Sequence, residues 1–269
     1  MKLVRFEAED GRVRVGEWLG GGQARVLEGG LFDAAARLGS HGEVVGMRRW
    51  LAPLEPPNIF AIGLNYRRHA AETGAELPSA PLVFLKATTA VLAPQAAIML
   101  PRQAPDEVDF EAELAIVIGR TARCVAPTAA LEHVLGYCCA NDVSARDCQK
   151  RIDRQWARGK SFDTFCPLGP WIVTADELPQ PDRCAIRCRV NDRVMQDSTT
   201  ADMIFPCAEL ISYLSHQFTL LPGTVILTGT PEGVGTARKP PVYLRAGDRV
   251  SVEIEGIGVL ENPVVKDQD

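Results

Sequence analysis

The run Asp109-Phe110-Glu111-Ala112-Glu113-Leu114-Ala115-Ile116-Val117-Ile118 constrains this chain most, because it carries two carboxylates into an apolar, β-branched strand. Strand periodicity points alternate residues to opposite faces, so Glu111 and Glu113 share one face while Ala112, Leu114 and Ile116 take the other. Like charges side by side repel; either solvent screens them or a cation sits between them, and the apolar residues that follow argue against solvent. A Glu-x-Glu pair on a half-exposed edge strand is ordinary surface chemistry, but a third acid alters that balance. Asp142 follows a second apolar run, Val134 to Ala140, within Asn141-Asp142-Val143-Ser144-Ala145-Arg146-Asp147. Three acids at strand ends predict one hard divalent ion, with water or substrate oxygens completing its shell. All-oxygen ligation favours magnesium, manganese or calcium over zinc.

A chain of 269 residues, 46% hydrophobic and 23% charged, has the composition of a globular protein with a substantial core, in one large domain or one domain plus a small appendage. Its net charge of −5 gives no general attraction to nucleic acid or to an anionic membrane, so neither partner is expected. No run approaches the roughly 20 apolar residues of a membrane span. Met1-Lys2-Leu3-Val4-Arg5-Phe6-Glu7 places charges where a signal peptide needs its apolar region, and a cytoplasmic location is the expectation. The eight cysteines form no C-x-x-C pair and no zinc-spaced cluster, which predicts mostly buried thiols.

The first 50 residues open with a predicted hairpin, Val4 to Glu7 and Arg12 to Val15, turning at Asp10-Gly11, followed by a short helix over Leu31 to Leu38. Pro53, Pro56 and Pro57 then mark a boundary, giving a small N-terminal unit over 1–52 and a main body over 57–265. Strands are predicted at Asn58 to Gly63, Leu82 to Lys86, Glu111 to Ile118, Val134 to Ala140, Pro170 to Thr174, Ala185 to Val190 and Thr224 to Thr228. A final pair spans Arg249 to Glu255 and Val259 to Val265. Helices are fewer: Tyr66 to Thr73, closed by Gly74, then Ala126 to Glu132 and Pro206 to Ser215. This is a strand-rich α+β chain without the regular β-α alternation of a doubly wound sheet.

Within Gly63-Leu64-Asn65-Tyr66-Arg67-Arg68-His69-Ala70-Ala71-Glu72-Thr73-Gly74, His69 and Glu72 stand three apart and share a helical face. A carboxylate beside an imidazole fixes its tautomer and raises its basicity, which suits a base that deprotonates water; the same pair on a solvated helix is plain surface chemistry. Lys160 lies among turn formers in Gly159-Lys160-Ser161-Phe162-Asp163-Thr164-Phe165-Cys166-Pro167-Leu168-Gly169-Pro170, a segment read as a loop. Its ammonium would stabilise negative charge developing near a metal. Leu227-Thr228-Gly229-Thr230-Pro231-Glu232-Gly233-Val234-Gly235 is a glycine-rich loop that brings backbone amides near a ligand, but it lacks the P-loop ending and the Rossmann spacing, so a nucleotide site is not expected.

In this order the motifs GLNYRRHAAETG, DFEAELAIVIGR, NDVSARDCQ, GKSFDTFCPLGP and LTGTPEGVG resemble the fumarylacetoacetate hydrolase family, over roughly Pro57 to Val265, and the last three look closest to its small bacterial and mitochondrial members. The resemblance implies a strand-rich β-roll, a homodimer, and magnesium or manganese on Glu111, Glu113 and Asp142, with calcium a stand-in in crystals. It also implies that His69 and Glu72 form a water-activating dyad on a segment that in several members orders as a lid over ligand, that Lys160 stabilises an oxyanion, and that Arg146, Gln149 and Thr230 contact substrate.

These pieces give hydrolysis of a carbon–carbon bond in a 2,4-dioxo acid, an acylpyruvate or fumarylpyruvate, as the expected activity: the metal is an electron sink for an enolate while His69 activates the attacking water. The same site also suits decarboxylation of an oxo-diacid, isomerisation of a 2-hydroxydienedioate, or a ureidoglycolate-type elimination, none of which needs that water. A non-catalytic protein that binds metal and ligand is the remaining alternative.

Overall fold

The computed structural model describes residues 1–33 and 42–267. Among the described residues, alternating and continuously apolar runs assemble into two large sheets, and Val108–Asp109 pairs with Ser144–Ala145 in a separate two-stranded one. The larger has eleven strands, and its centre runs in the order Lys2–Ala8, Cys166–Thr174, Val134–Asn141, Ala112–Ile118, Val225–Leu227, Ile59–Gly63 and Leu82–Lys86. The smaller has five, ordered Arg193–Thr199, Ala185–Val190, Arg249–Ile254, Gly258–Lys266 and Ile98–Leu100. The small sheet packs on the centre of the large one through contacts of Ala185–Val190 and Arg249–Ile254 with Ala112–Ile118. Every residue of Ala112–Ile118 is therefore buried, which explains its lack of a polar face. Helices are few; Cys207–Gln217 is the longest described, burying Leu210, Ile211 and Leu214. The strand-rich α+β architecture expected from the sequence is the one observed.

The residues before the proline cluster form the strands Lys2–Ala8, Val13–Gly20, Gln23–Val26 and Val44–Trp50, which extend the large sheet through pairing of Lys2 with Val173 and Leu3 with Ile172. They keep a small apolar cluster of their own, Val4, Phe6, Ala8 and Ala24. The helix expected over 31–38 falls mainly on residues outside the described set.

Register decides where chemistry collects. Ala112–Ile118 runs antiparallel to Val134–Asn141, with Ala112 opposite Asn141 and Glu113 opposite Ala140, and antiparallel to Val225–Leu227, with Ala115 opposite Leu227. Ile59–Gly63 runs parallel to Val225–Leu227. The start of one strand and the ends of three others thus share one edge of the sheet, so Glu111, Asp142, Thr228 to Gly235 and Leu64 to His69 emerge together. Side chains far apart in sequence converge without any long loop.

Candidate metal centre and active site

Glu111, Glu113 and Asp142 converge as the sequence predicts: each is buried, and one oxygen from each lies within 4.8 Å of the others. Backbone contacts fix them. The Asp142 amide donates to the Glu111 carbonyl at 2.9 Å, and the Glu111 amide donates to Asn141 Oδ1 at 3.0 Å. Glu113 Oε2 accepts the Gly229 amide at 2.7 Å. Gly229 itself is required: its φ is +98°, and a Cβ there would lie 2.7 Å from Asn65 Cβ. Asn65 is fully buried and ties the two loops together, donating to Thr228 O at 2.7 Å and accepting from the Phe205 amide at 2.9 Å.

Three cations enter the same buried volume. Lys160 Nζ lies 2.7 Å from Glu111 Oε2 and 2.5 Å from Asp142 Oδ2. Lys86 Nζ takes the other Asp142 oxygen at 2.5 Å. Arg146 pairs with Asp109 at 2.8 Å and with Glu111 at 2.6 Å, and it donates to Gln149 Oε1 at 2.9 Å. Asp109 is anchored in turn by the Gly235 and Thr236 amides at 2.8 and 2.9 Å. Lys160 is not in a loop as expected; it closes the five-residue helix Trp156–Lys160, whose first turn is capped by the Gln155 side chain. A helix this short shows no periodicity in sequence.

Four carboxylates against three cations leave one negative charge without a partner, and the geometry says which. Glu113 takes only an amide donor, and among the described residues no lysine or arginine pairs with it. Burial, then repulsion by Asp142 and Glu111, pushes its carboxyl well above the usual range. For Glu111 burial also pushes upward, but Lys160 and Arg146 outweigh it and hold the group down at about 2. Burial works against the Lys160 ammonium, and Asp142 and Glu111 more than restore it, raising its pKa. A buried, unpaired carboxylate facing two others is what a divalent cation would relieve, and an all-oxygen donor set fits a hard ion. The triad could hold one.

Above the triad lies a cavity of about 330 Å³, and Glu111, Glu113, Arg146, Gln149, Lys160, Thr230 and His69 all reach it. His69 stands on the helix Arg67–Thr73, closed as expected by Gly74 with φ +67°. Its Nδ1 is 3.1 Å from Glu72 Oε2, and Glu72 also accepts the Gly233 amide at 2.9 Å, which fastens the helix to the glycine-rich loop. Thr230 Oγ1 donates to the Ala112 carbonyl at 2.9 Å and accepts from Gln196 Nε2 at 2.8 Å, while Gln196 Oε1 accepts the Ala112 amide at 2.9 Å. All nine side chains singled out in the sequence therefore meet in or around one cavity.

Sequence reasoning missed Lys86, Asp109 and Gln196. Lys86 ends the apolar strand Leu82–Lys86, and a lysine finishing such a run is the one local signal that could have exposed it. Asp109 was in view as part of its motif, but its ties to Arg146 and to the Gly235 turn are long-range and leave no local trace.

A family model described as Fumarylacetoacetate (FAA) hydrolase C-terminal matches residues 58–265. Oxaloacetate tautomerase FAHD2A, mitochondrial, from Bos taurus is 48% identical over 218 residues, covering 80% of this chain and 69% of its own length. The crystal structure of 5-carboxymethyl-2-hydroxymuconate delta-isomerase from Mycobacterium smegmatis superposes with a TM-score of 0.87 at 41% identity, covering 99% of this chain and all of that one. Fumarylacetoacetate hydrolase from Exiguobacterium antarcticum does so with 0.87 at 39% identity, over 99% of this chain and all of that one. Two of these three names, the tautomerase and the isomerase, favour isomerisation, held above as an alternative, over the hydrolysis expected from the sequence. The bovine relative is named mitochondrial, which lends nothing to the cytoplasmic expectation; among the described residues no helix is long and apolar enough to cross a membrane. With the ordered motifs, the fold and a match over most of its length in agreement, the chain belongs to the fumarylacetoacetate hydrolase family.

Proposed function

We propose that this chain is a divalent-metal-dependent tautomerase or isomerase of 2-oxo dicarboxylic acids, moving a proton between the enol oxygen and C3 of an oxaloacetate-like substrate. The observation that carries the reading is the His69–Glu72 pair held over the acid triad in one small cavity, in a chain 48% identical to an oxaloacetate tautomerase. Glu111, Glu113 and Asp142 would hold magnesium or manganese, which supplies an electron sink for the 2-oxo group.

The chain's own residues do the rest. In the tautomer that donates Nδ1–H to Glu72, His69 keeps Nε2 as the atom that accepts a proton and returns it. Glu72 stabilises the imidazolium formed in between. Lys160 places its ammonium beside the triad, where negative charge collects on the 2-oxo oxygen. Arg146, Gln149 and Thr230 orient the substrate from the cavity wall. One proton leaves oxygen and one arrives at carbon, so no water is consumed. Isomerisation of a 2-hydroxydienedioate is the same proton transfer carried through one more double bond. Hydrolysis of an acylpyruvate needs the same dyad to activate water instead, and the homodimer implied by the family resemblance is part of the proposal, checked by light scattering.

The experiment follows the decay of enol-oxaloacetate by its ultraviolet absorbance, with magnesium or manganese and after chelation, beside acetylpyruvate and fumarylpyruvate. Metal-dependent acceleration of the enol decay supports the reading. Cleavage of an acylpyruvate with no effect on the enol overturns it in favour of hydrolysis.

A further inference from the structure

Of the cations reaching the cavity, Arg146 and Lys160 are consumed by the acids beneath them. Lys150 is not. It follows Gln149 on the turn Cys148–Ile152, lines the cavity, and lies at its exposed side. Its Nζ reaches across to Thr236 Oγ1 at 3.4 Å, so the ammonium bridges from the 148–152 turn to the turn that follows the glycine-rich loop. Among the described residues no carboxylate lies within ion-pair distance of it, and the acids nearby are already taken: Glu107 pairs with Arg151 at 2.7 Å, and Asp109 pairs with Arg146 and accepts two amides. Burial and then repulsion by Arg146 hold its pKa below the ordinary lysine value, outweighing the opposing pull of Asp109, Glu111 and Glu107. The Thr236 hydroxyl beside it accepts from Lys150 and lies 3.4 Å from Tyr243 Oη, so its proton can turn from that long contact to an incoming anion, while the Thr236 amide is already spent on Asp109.

We infer that Lys150, with the Thr236 hydroxyl, forms a subsite for the distal carboxylate of a dicarboxylic 2-oxo acid, and so selects diacids over monoacids of the same head group. This rests on the reading of the site as one for 2-oxo acids. The triad and Lys160 are buried while Lys150, on the wall of the same cavity, is exposed, so a substrate bound by its oxo-acid head at the triad can extend its tail outward to Lys150. An anion there gives the lysine the partner that the chain does not supply. Lys150 is a specificity-determining residue in this account; it does not touch the atoms that exchange the proton.

The test compares wild-type protein with Lys150→Met and Lys150→Arg, all loaded with manganese. Titration calorimetry with pyruvate and with oxaloacetate isolates the distal carboxylate, because the two share one head group. Wild type binds oxaloacetate at least about tenfold tighter than pyruvate, the scale of one charge-assisted hydrogen bond at a partly solvated site. Lys150→Met abolishes that preference while leaving pyruvate affinity within about threefold, and Lys150→Arg restores most of it. In parallel, kcat/KM for enol-oxaloacetate falls about tenfold in Lys150→Met, mainly through KM, while that for enol-phenylpyruvate is unchanged. A Lys150→Met protein that keeps the wild-type preference overturns the inference. A wild type that converts neither enol, with a preference for oxaloacetate that Lys150→Met abolishes, overturns the tautomerase reading and upholds the carboxylate subsite, so the two failures are distinct; a wild type with no preference overturns the subsite.

Discussion

Replacing Glu113 by glutamine shifts stability in opposite directions with and without metal. In the metal-free protein Glu113 faces Glu111 and Asp142 across no more than 4.8 Å. Two like charges at that distance repel by about 3.5 kcal/mol at an effective dielectric of about 20. Glu113 has two such neighbours, and Lys160 between them offsets about one; weakening the Gly229 hydrogen bond costs the variant about 1 kcal/mol. The net is about 2 kcal/mol in favour of glutamine, or roughly 5 °C in Tm for a chain of this size. Wild type carries this cost whether it keeps the charge or retains a proton that the unfolded chain releases at neutral pH. The sign follows from a folded-state pKa above the unfolded one: the proton-linked cost grows as pH rises through the carboxylate range, and it is absent in acid. With saturating manganese the order inverts, because an amide is a poor ligand for a hard ion; a hundredfold loss of affinity removes about 2.7 kcal/mol of metal-derived stability. Differential scanning calorimetry in chelator and in manganese, with titration of the metal, measures both arms. A metal-free Tm that falls on substitution, or manganese affinity within threefold of wild type, refutes the charge argument.

Other consequences follow from the same contacts. His69→Ala should lower kcat for enol-oxaloacetate by about 10²–10⁴-fold with manganese affinity unchanged, because His69 is outside the acid triad; equal loss of metal binding would contradict the division of roles. Gly229→Ala places a Cβ 2.7 Å from Asn65 Cβ at a φ of +98° and should cost about 1–3 kcal/mol, read as a lower Tm; an unchanged Tm would show that the Asn65 contact yields freely. Of the eight thiols only Cys124 is exposed, and burial pushes Cys138 and Cys166 up to about 12, so a disulfide reagent should titrate one thiol quickly in native protein and eight after denaturation.

The parts of the fold legible in sequence were those whose local pattern is also their tertiary role. Leu82–Lys86 and Ala185–Val190 are found at the predicted bounds, and Gly74 closes the His69 helix as its conformational freedom suggests. Val44–Trp50 was missed because Arg48 and Arg49 are adjacent, break strict alternation, and both pair with Glu7 across the sheet. Arg193–Thr199 begins after Asn191-Asp192, with Asn191 at φ +54°; that dipeptide is a tight-turn signal, and only the polar, exposed start of the strand hid it. For the site, Glu111 and Glu113 were readable because two acids in an apolar strand violate its pattern. Lys86 gave only the faint signal of a lysine closing an apolar strand, and Gln196 gave none, because each acts through partners remote in sequence, Asp142 for Lys86 and Ala112 and Thr230 for Gln196.

The most direct test of the account is the rate of enol-oxaloacetate decay measured against bound manganese in one titration. If the acid triad organises the reaction, the rate rises in step with one equivalent of manganese per chain and falls to the uncatalysed level in chelator, and Asp142→Asn loses both together. Full turnover in chelator, or saturation of binding with no rise in rate, would contradict it.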